Sequence, residues 1–568
     1  MKTLISLLSV FFGITLFAEE SVFKFDEFNA KHKNSFAAIS DILNLARSKN
    51  GSPVRIEFSK KTYNVEKDLN YSWFFNLSNL KNITIDGKGA KLMIDPSNAY
   101  CIIRNCENVV LKNFEFEHNR LAFTQGDIVE VNDEYFVMKL DDGYPEFPSH
   151  EFVMNNYPAS QWMWGCYMDR KARTLLANYP DHIFFQKIIP AEKPRHYKFY
   201  PKPAFIRQLK RIKTGEAFVM PIHQDPHKAW KNSHGPYTII VVGSKNISVE
   251  NITARATRHA GWAVAQNEGK VIFKNCTITW RANSNDLISS WRDGAHCKNN
   301  RIGPTFINCK WEGLLDDSIN IGANPSMIKE DLGNATYKIY GGYNLKKGGK
   351  VGIFIPSTGT WIEGEQWYIQ DYKKGIVKLS KPIPDLVCRQ DISQYEITSG
   401  HAKKNMLATQ LYALDYVSEK YEIINCKFGK QRRYAMIIRS PNGTITNNKI
   451  YGGAGIMISN EIGSWYEGPF PINTKICGNS FENVKAQYPL TIALQSANND
   501  KAKIPYKTLI SDNKFLLNAQ KNKGAIKTSF VSDVEIKNNK IFDKNKKLLP
   551  EGSAIFIHPS CNKVDVVK

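Results

Sequence analysis

The strongest constraint on the fold of this 568-residue chain is a phrase that it keeps repeating: a strand of three to five residues, an Asn or Gly turn, and a second short strand. "LSNLKNITIDGKGAKL" (77–92) states it first and "IRNCENVVLKNFEFE" (103–117) follows. It resumes in "VVGSKNISVENITARAT" (241–257), "GKVIFKNCTITW" (269–280), "GPTFINCKWEG" (303–313), "KYEIINCKFG" (420–429) and "NGTITNNKIYGG" (442–453). The last copies are "NTKICGNSFENV" (473–484), "YKTLISDNKFLLNA" (506–519) and "VSDVEIKNNKIFD" (531–543). Strands this short do not build a wide conventional sheet, and the aligned Asn positions recur every 22 to 34 residues or so, the length of one solenoid coil. Stacked about 4.8 Å apart, such coils line up aliphatic residues inside and Asn residues along a turn. The pattern predicts an all-β chain, a right-handed parallel β-helix formed by 19–121, 233–323 and 406–568. A β-sandwich is the alternative that alternation alone would also fit.

Two intervals drop the phrase. Residues 122–232 contain "GDIVEVNDEYFVMKLDD" and "GEAFVMPIHQD" around aromatic and Pro-rich material, and read as an inserted β domain. Residues 324–405 contain "KVGIFIPSTGTWIEGEQWYIQDYKKGIVKLSKPIP", strands separated by turns, and read as a second, β-barrel-like insertion. Both leave and rejoin the coils beside the most acidic stretch of the chain, where they would wall a pocket.

That stretch holds the candidate chemistry. "SNDLISSWRDGAHCKNN" carries Asp293, and "CKWEGLLDDSINIG" carries Asp316 and Asp317, 23 and 24 residues on, about one coil later. Adjacent acids inside a strand-like run are expensive unless a site needs them. A strand would send the two to opposite faces, so both reach one pocket only from a bulge or turn. Two carboxyls, one protonated and one ionised, are what glycosidic hydrolysis requires. Asp293, Asp316 and Asp317 are therefore the catalytic candidates. Around them we place His259, Trp262 as a sugar platform, His296, Asn320, Arg439, Glu461, Trp465 and Glu467 as substrate-binding candidates; "SNEIGSWYEGP" in particular combines acids with an aromatic face. The rivals are a Ca²⁺ site of Asp293, Asp316, Asp317 and Asn320 serving a β-helix polysaccharide lyase with Arg292 as base, a non-catalytic glycan-binding solenoid, and acids that merely cap turns. No cofactor and no resident metal is expected for the hydrolase.

The remaining features set context. Met1-Lys2 followed by "TLISLLSVFFGITLFA" reads as a signal peptide, 1–18, implying a secreted or periplasmic protein; it is too short to span a membrane comfortably, and no later segment is apolar enough. Ten cysteines show no metal-binding spacing, and the recurrent "NC" context suggests buried thiols, with disulfides left open by secretion. The net charge of +22 fits an anionic glycan or a Lys-rich solvated face. It is dispersed and no recognition fold accompanies it, which argues against nucleic acid. Nothing marks a symmetric patch, and a homodimer is left open.

"WRDGAHCKNN", "CKWEGLLDDSINIG", "RRYAMIIRS" and "NEIGSWYEGP", in this order and spacing, resemble glycoside hydrolase family 110. The resemblance extends in layout across most of the chain after residue 18. It implies a β-helix interrupted by small barrels and exo-acting, inverting, metal-independent release of terminal α-1,3-linked galactose. It places Asp293, Asp316 and Asp317 on the family's acidic cluster and Glu461 and Trp465 on its later sugar-contacting stretch. Asp293 is then expected as acid and Asp317 or its neighbour as base, with the reverse assignment open. Cys297 stands where an aromatic is usual, a departure expected to alter the leaving-group subsite. With the basic charge, it makes a sulfated algal galactan one natural context and a neutral galactoside the other.

Overall fold

The computed structural model describes residues 19–149, 151, 163–176, 179–222, 237–390, 408–462, 467–495, 504–518, 522–550 and 552–567. The proposed signal peptide and Trp465 lie outside the described residues. Successive copies of the repeated phrase pair in parallel and in register. Thr305–Ile307 lies on Glu422–Ile424, which lies on Thr444–Thr446 and then Lys475–Cys477. The second strand of each coil does the same, from Lys310–Glu312 through Lys427–Gly429 to Lys449–Tyr451. These strands belong to one 21-stranded sheet, and a facing 11-stranded parallel sheet completes the coils. The chain is thus a parallel β-helix. Alternate residues such as Val264, Cys297, Ile321 and Ile438 stack in its interior.

The Asn of the phrase has a backbone reason. Asn251, Asn275, Asn308, Asn425 and Asn447 adopt φ of 53°, 55°, 55°, 55° and 56°, the left-handed conformation that Asn tolerates better than other side chains. Each turns the chain between two walls, and their amides hydrogen-bond from coil to coil: Asn251 to Asn113 at 2.9 Å, Asn275 to Asn251 at 2.9 Å, Asn308 to Asn275 at 3.2 Å. The next residue points inward. It is Cys276, Cys309 and Cys426 in three coils, then Asn448, Asn479, Asn513 and Asn539. The buried Asn448, Asn479 and Asn513 amides donate both to the next Asn, at 2.9 to 3.0 Å, and to a carbonyl of the preceding coil. Buried amides are tolerated because every donor is paired. All ten cysteines are free thiols, seven of them buried, so the "NC" pattern marks thiols packed in this ladder rather than disulfides.

Helix Ser35–Ser48 covers the first coil, an element the repeat did not announce. Asn34 caps it by accepting from the Ala37 N–H at 2.8 Å, and buried Phe36 packs edge-on against Phe74. It shields an end that would otherwise expose a sheet edge.

The antiparallel strands between Phe123–Val131 and Ala217–Pro221 form a small barrel: Trp164–Asp169 pairs with both Ile183–Pro190 and Ala217–Pro221, which closes the ring. Phe136, Phe185, Phe199 and Phe218 fill it. A second antiparallel unit runs from Ser326–Asp331 to Gln410–Ala413, and these two strands pair where it leaves and rejoins the coils. The first barrel is fastened to the coil segment that leads into Asp293. Tyr144 donates to buried Asp286 at 2.7 Å, Gln125 bonds the backbone of Asn285 and Leu287, and Trp164 packs on Trp291.

Candidate active site

The stacking that builds the helix also builds the site. Strands Trp262–Ala265, Ala295–Lys298, Ile319–Gly322 and Met436–Ile438 pair in parallel, with Trp262, Ala295, Ile319 and Met436 in one row. This register sets Asp293 over Asp317, and the Gly294 N–H donates to the Asp317 carbonyl at 2.8 Å. Gly294 is required here, since a Cβ would lie 2.3 Å from Trp311 Cδ1 and 2.6 Å from the Ser318 carbonyl oxygen. Asp316 and Asp317 occupy the turn before the strand, so both reach the same space. One carboxylate oxygen from each of Asp293, Asp316 and Asp317 lies within 4.8 Å of the others.

Three acids this close cannot all ionise freely. Burial, then Asp316, Asp317 and Glu467, push the Asp293 carboxyl well above its ordinary range, against the pull of Arg292. Burial and Asp316 push Asp317 up to about 7, although its Oδ1 accepts the Tyr434 N–H at 2.9 Å. Asp316 instead faces two guanidiniums, Arg292 at 3.5 Å and Arg432 at 3.8 Å. Arg432 is in turn held by the first barrel: its Nη1 is 3.1 Å from Asp181, which also bonds His182 and pairs with Arg433 at 3.1 Å. The Arg292 and Arg432 guanidiniums both lie over Trp164 of that barrel.

A second polar group lies on the outward face of the same strands. Glu467 takes Arg439 at 2.6 Å, Asn320 Nδ2 at 3.0 Å, His296 Nε2 at 3.2 Å and Lys298 Nζ at 3.4 Å. Burial opposes ionisation of Glu467, but Lys298, His296 and Arg439 overcome it and hold the carboxyl well below its usual value. Lys298 donates to Asn320 Oδ1 at 2.7 Å, and burial lowers its ammonium despite Glu467. His259 is buried beside the pocket, its ring edge-on to Trp291 at 4.8 Å and to Tyr237 at 5.8 Å. Glu461 is buried beside Tyr412 and forms the bridge to Gly468 that brings Glu467 in.

Two expectations are corrected. Trp262 is fully buried and stacks on Phe273 inside the solenoid, so it has no face to offer a sugar. Its parity in the strand, opposite to that of His296, puts it in the core. Cys297 likewise points inward in the apolar core, so the departure there does not reshape a subsite directly. The same parity identifies Lys298, two residues after His296, which the motif reading passed over. Arg432 and Tyr434 stood inside a quoted motif without being singled out. Asp181, His182, Trp164 and Tyr237 carried no sequence signal, because only the docking of the barrel and the stacking of distant coils bring them to the pocket.

Fold and site together define a parallel β-helix with a largely enclosed cluster of carboxyls, one buried and two partly exposed, the functional groups on which glycosidases depend. No protein-family model matches the chain. It is 22% identical over 432 residues to alpha-1,3-galactosidase B of Bacteroides thetaiotaomicron, an alignment covering 71% of this chain and 64% of that protein. It is 20% identical over 439 residues to alpha-1,3-galactosidase B of Akkermansia muciniphila, covering 74% and 51%. Alpha-1,3-galactosidase A of Bacteroides thetaiotaomicron aligns over 547 residues at 19% identity, covering 91% and 90%. The chain thus spans less than two thirds of the first two relatives. All three carry the activity name implied by the family that the motifs resemble.

Proposed function

We propose that this protein is an exo-acting α-1,3-galactosidase that releases terminal galactose from galactosides or galactan oligosaccharides. The observation that carries the reading is the stacked cluster of Asp293, Asp316 and Asp317, in which two carboxyls are biased toward the protonated form. Asp293, the more strongly raised, donates its proton to the departing glycosidic oxygen. Asp317, ionised at and above about pH 7, takes a proton from the attacking water, so water adds across the cleaved C–O bond. Arg292 and Arg432 offset the charge of Asp316 as the base becomes neutral and the acid becomes anionic. Glu467, Asn320, His296, Lys298 and Arg439 offer one anion and several donors to sugar hydroxyls. The protein acts after secretion and removal of residues 1–18.

Inversion follows from the family resemblance. Facing oxygens within 4.8 Å lie nearer the roughly 5 Å of retaining pairs than the 6.5–9.5 Å of inverting ones. The two criteria meet if substrate draws Asp293 away from Asp317, and Asp293, the less buried of the pair, has the more room. The anomer first released from an α-1,3-galactobioside decides: β-galactose means inversion, α-galactose retention. Asp293→Asn should retain activity on a galactoside with an activated leaving group and lose it on the galactobioside, whereas Asp317→Asn should lose both by about 10²- to 10⁴-fold. The opposite pattern would exchange the roles, and absence of galactose release by the native protein would refute the proposal.

The same three oxygens are close enough to ligate a cation, which favours a second reading, a calcium-dependent polysaccharide lyase with Arg292 as base. EDTA-sensitive formation of an unsaturated, ultraviolet-absorbing product would establish it; EDTA-resistant release of galactose would exclude it.

A further inference from the structure

A row of lysines runs along the outside of the solenoid, and three of its five have no ion-pair partner among the described residues. The first outward position of the second strand is Lys310, Lys427, Lys449, Ser480, Lys514 and Lys540 in six successive coils, each directly paired with the next. Like charges directly opposite on neighbouring strands destabilise a sheet, and these stand one strand spacing, about 4.8 Å, apart. The same row is neutralised further upstream, where Lys91 pairs with Glu115 at 3.5 Å and Glu117 at 2.9 Å. Downstream, Lys310 keeps Glu312 at 2.7 Å and Lys514 lies over the Phe542 ring, while Lys427, Lys449 and Lys540 have no ion-pair partner among the described residues. Glu482 is the other acid on the adjacent outward row from Lys310 onward. Lys427, Lys449, Lys514 and Lys540 are exposed. The row starts on the coil that carries Asp316 and Asp317 and continues toward the C-terminal end of the solenoid.

We infer that this row is a docking track for a linear anionic polysaccharide, its sulfate or carboxylate groups lying along the solenoid axis. A single file of cations repeating at the coil spacing matches one extended polyanion. A duplex nucleic acid presents two separated phosphate strands, and a membrane engages a broad surface. That the polyanion is a glycan rests on the galactoside reading of the active site; the charge complementarity does not. Bound on the track, the polymer is held beside the coils whose turn contains the carboxylates, raising the local concentration of its ends at the pocket.

The probe is dextran sulfate, which offers the charge without galactose, against neutral dextran and a short DNA duplex, measured by calorimetry between 50 and 300 mM salt. The native protein should bind dextran sulfate with an affinity that falls steeply with salt and should ignore dextran. The combined Lys427→Ser, Lys449→Ser and Lys540→Ser variant, using the residue that position 480 already carries, should bind on the order of tenfold or more weakly with a shallower salt slope. A control variant with the same charge change, Lys60→Ser, Lys373→Ser and Lys374→Ser, should bind as the native protein does. Equal losses in both variants, or no preference for dextran sulfate over dextran, would overturn the track, and equal or tighter binding of the duplex would overturn the glycan assignment. Turnover of a small neutral galactoside should be unchanged in the track variant. Failure of the native protein to bind dextran sulfate while it turns over the galactoside refutes the track alone, and binding of dextran sulfate without galactoside turnover by the native protein refutes the active-site reading.

Discussion

Replacing Asp317 by Asn should abolish hydrolysis and yet stabilise the protein at alkaline pH. The carboxyl is pushed from 3.8 to about 7 by burial and by Asp316. Between those values the folded state holds a proton that the unfolded chain has released, so stability falls as pH rises from about 4 to about 7. Above that range the penalty is complete. About three pKa units at 1.36 kcal/mol each give roughly 4 kcal/mol, a large fraction of the 5–15 kcal/mol that typically separates folded from unfolded states. Asn removes the ionisation and keeps an oxygen for the Tyr434 N–H. Its new amide faces the carboxylates of Asp293 and Asp316, which can accept from it. Equilibrium denaturation at a series of pH values is the assay. At pH 8 the variant should be more stable than the native protein by up to about 4 kcal/mol, and the gap should close toward pH 4. A variant equal to or less stable than the native protein at pH 8 would refute the claim that the cluster is held together against its own charge.

Further outcomes follow from the same geometry. Gly294→Ala, whose Cβ would meet Trp311 and the Ser318 carbonyl, should cost about 1–3 kcal/mol and displace Asp293, so a galactosidase assay should show kcat/KM falling at least tenfold and toward the roughly hundredfold effect of a 1 Å misplacement. Glu467→Gln should flatten the acid dependence of stability: the depressed Glu467 contributes stability above its ordinary value of 4.5 that is lost as pH falls through its folded value, so the native protein should lose more stability on acidification than the variant. Arg439→Ala strips Glu467 of its nearest cation, at 2.6 Å, and should raise KM for a galactoside more than it lowers kcat. Asn479→Ala breaks the inner amide ladder and leaves the Ile445 carbonyl and the neighbouring Asn unsatisfied, costing about 1–3 kcal/mol in a denaturation experiment without altering the site.

What was legible in the sequence is what repeats. The Asn turns and alternating aliphatic residues report the coil because every coil must satisfy the same backbone and packing conditions. The separation of Asp293 from Asp317 reported their stacking because the coil length fixes it. Glu467 was visible from the composition of its loop, and His296, Asn320 and Arg439 were named beside it, but Lys298 required the outward parity of its strand two residues after His296. Trp262 was misread because a lone Trp next to a site looks the same in sequence whether it points in or out, and only register with Ala295 and contact with Phe273 decide it. The contribution of the first barrel was invisible altogether: Asp181 and Arg432 are about 250 residues apart and meet through tertiary docking, which leaves no periodic trace.

That docking explains why insertions accompany the acidic coils. A bare parallel solenoid stacks carboxylates readily, since residues one coil apart are neighbours by construction, but its outer surface leaves them in water, where their repulsion is screened and neither titration is displaced far. A displaced titration needs a wall that excludes solvent and a fixed counter-charge that prevents the acids from forcing the coils apart. The barrel supplies both at one place. Trp164, packed on Trp291, covers the segment that leads into Asp293, and Asp181 anchors Arg432 against Asp316. Since Asp181 touches none of the three aspartates through a direct hydrogen bond or ion pair given by the structure, its removal tests this division of labour. Asp181→Asn should leave the fold intact and let Arg432 relax away from Asp316, shifting the pH profile of hydrolysis while leaving KM for a small galactoside nearly unchanged. An unchanged pH profile would mean that the solenoid alone sets the chemistry and that the barrel serves only to shape the pocket.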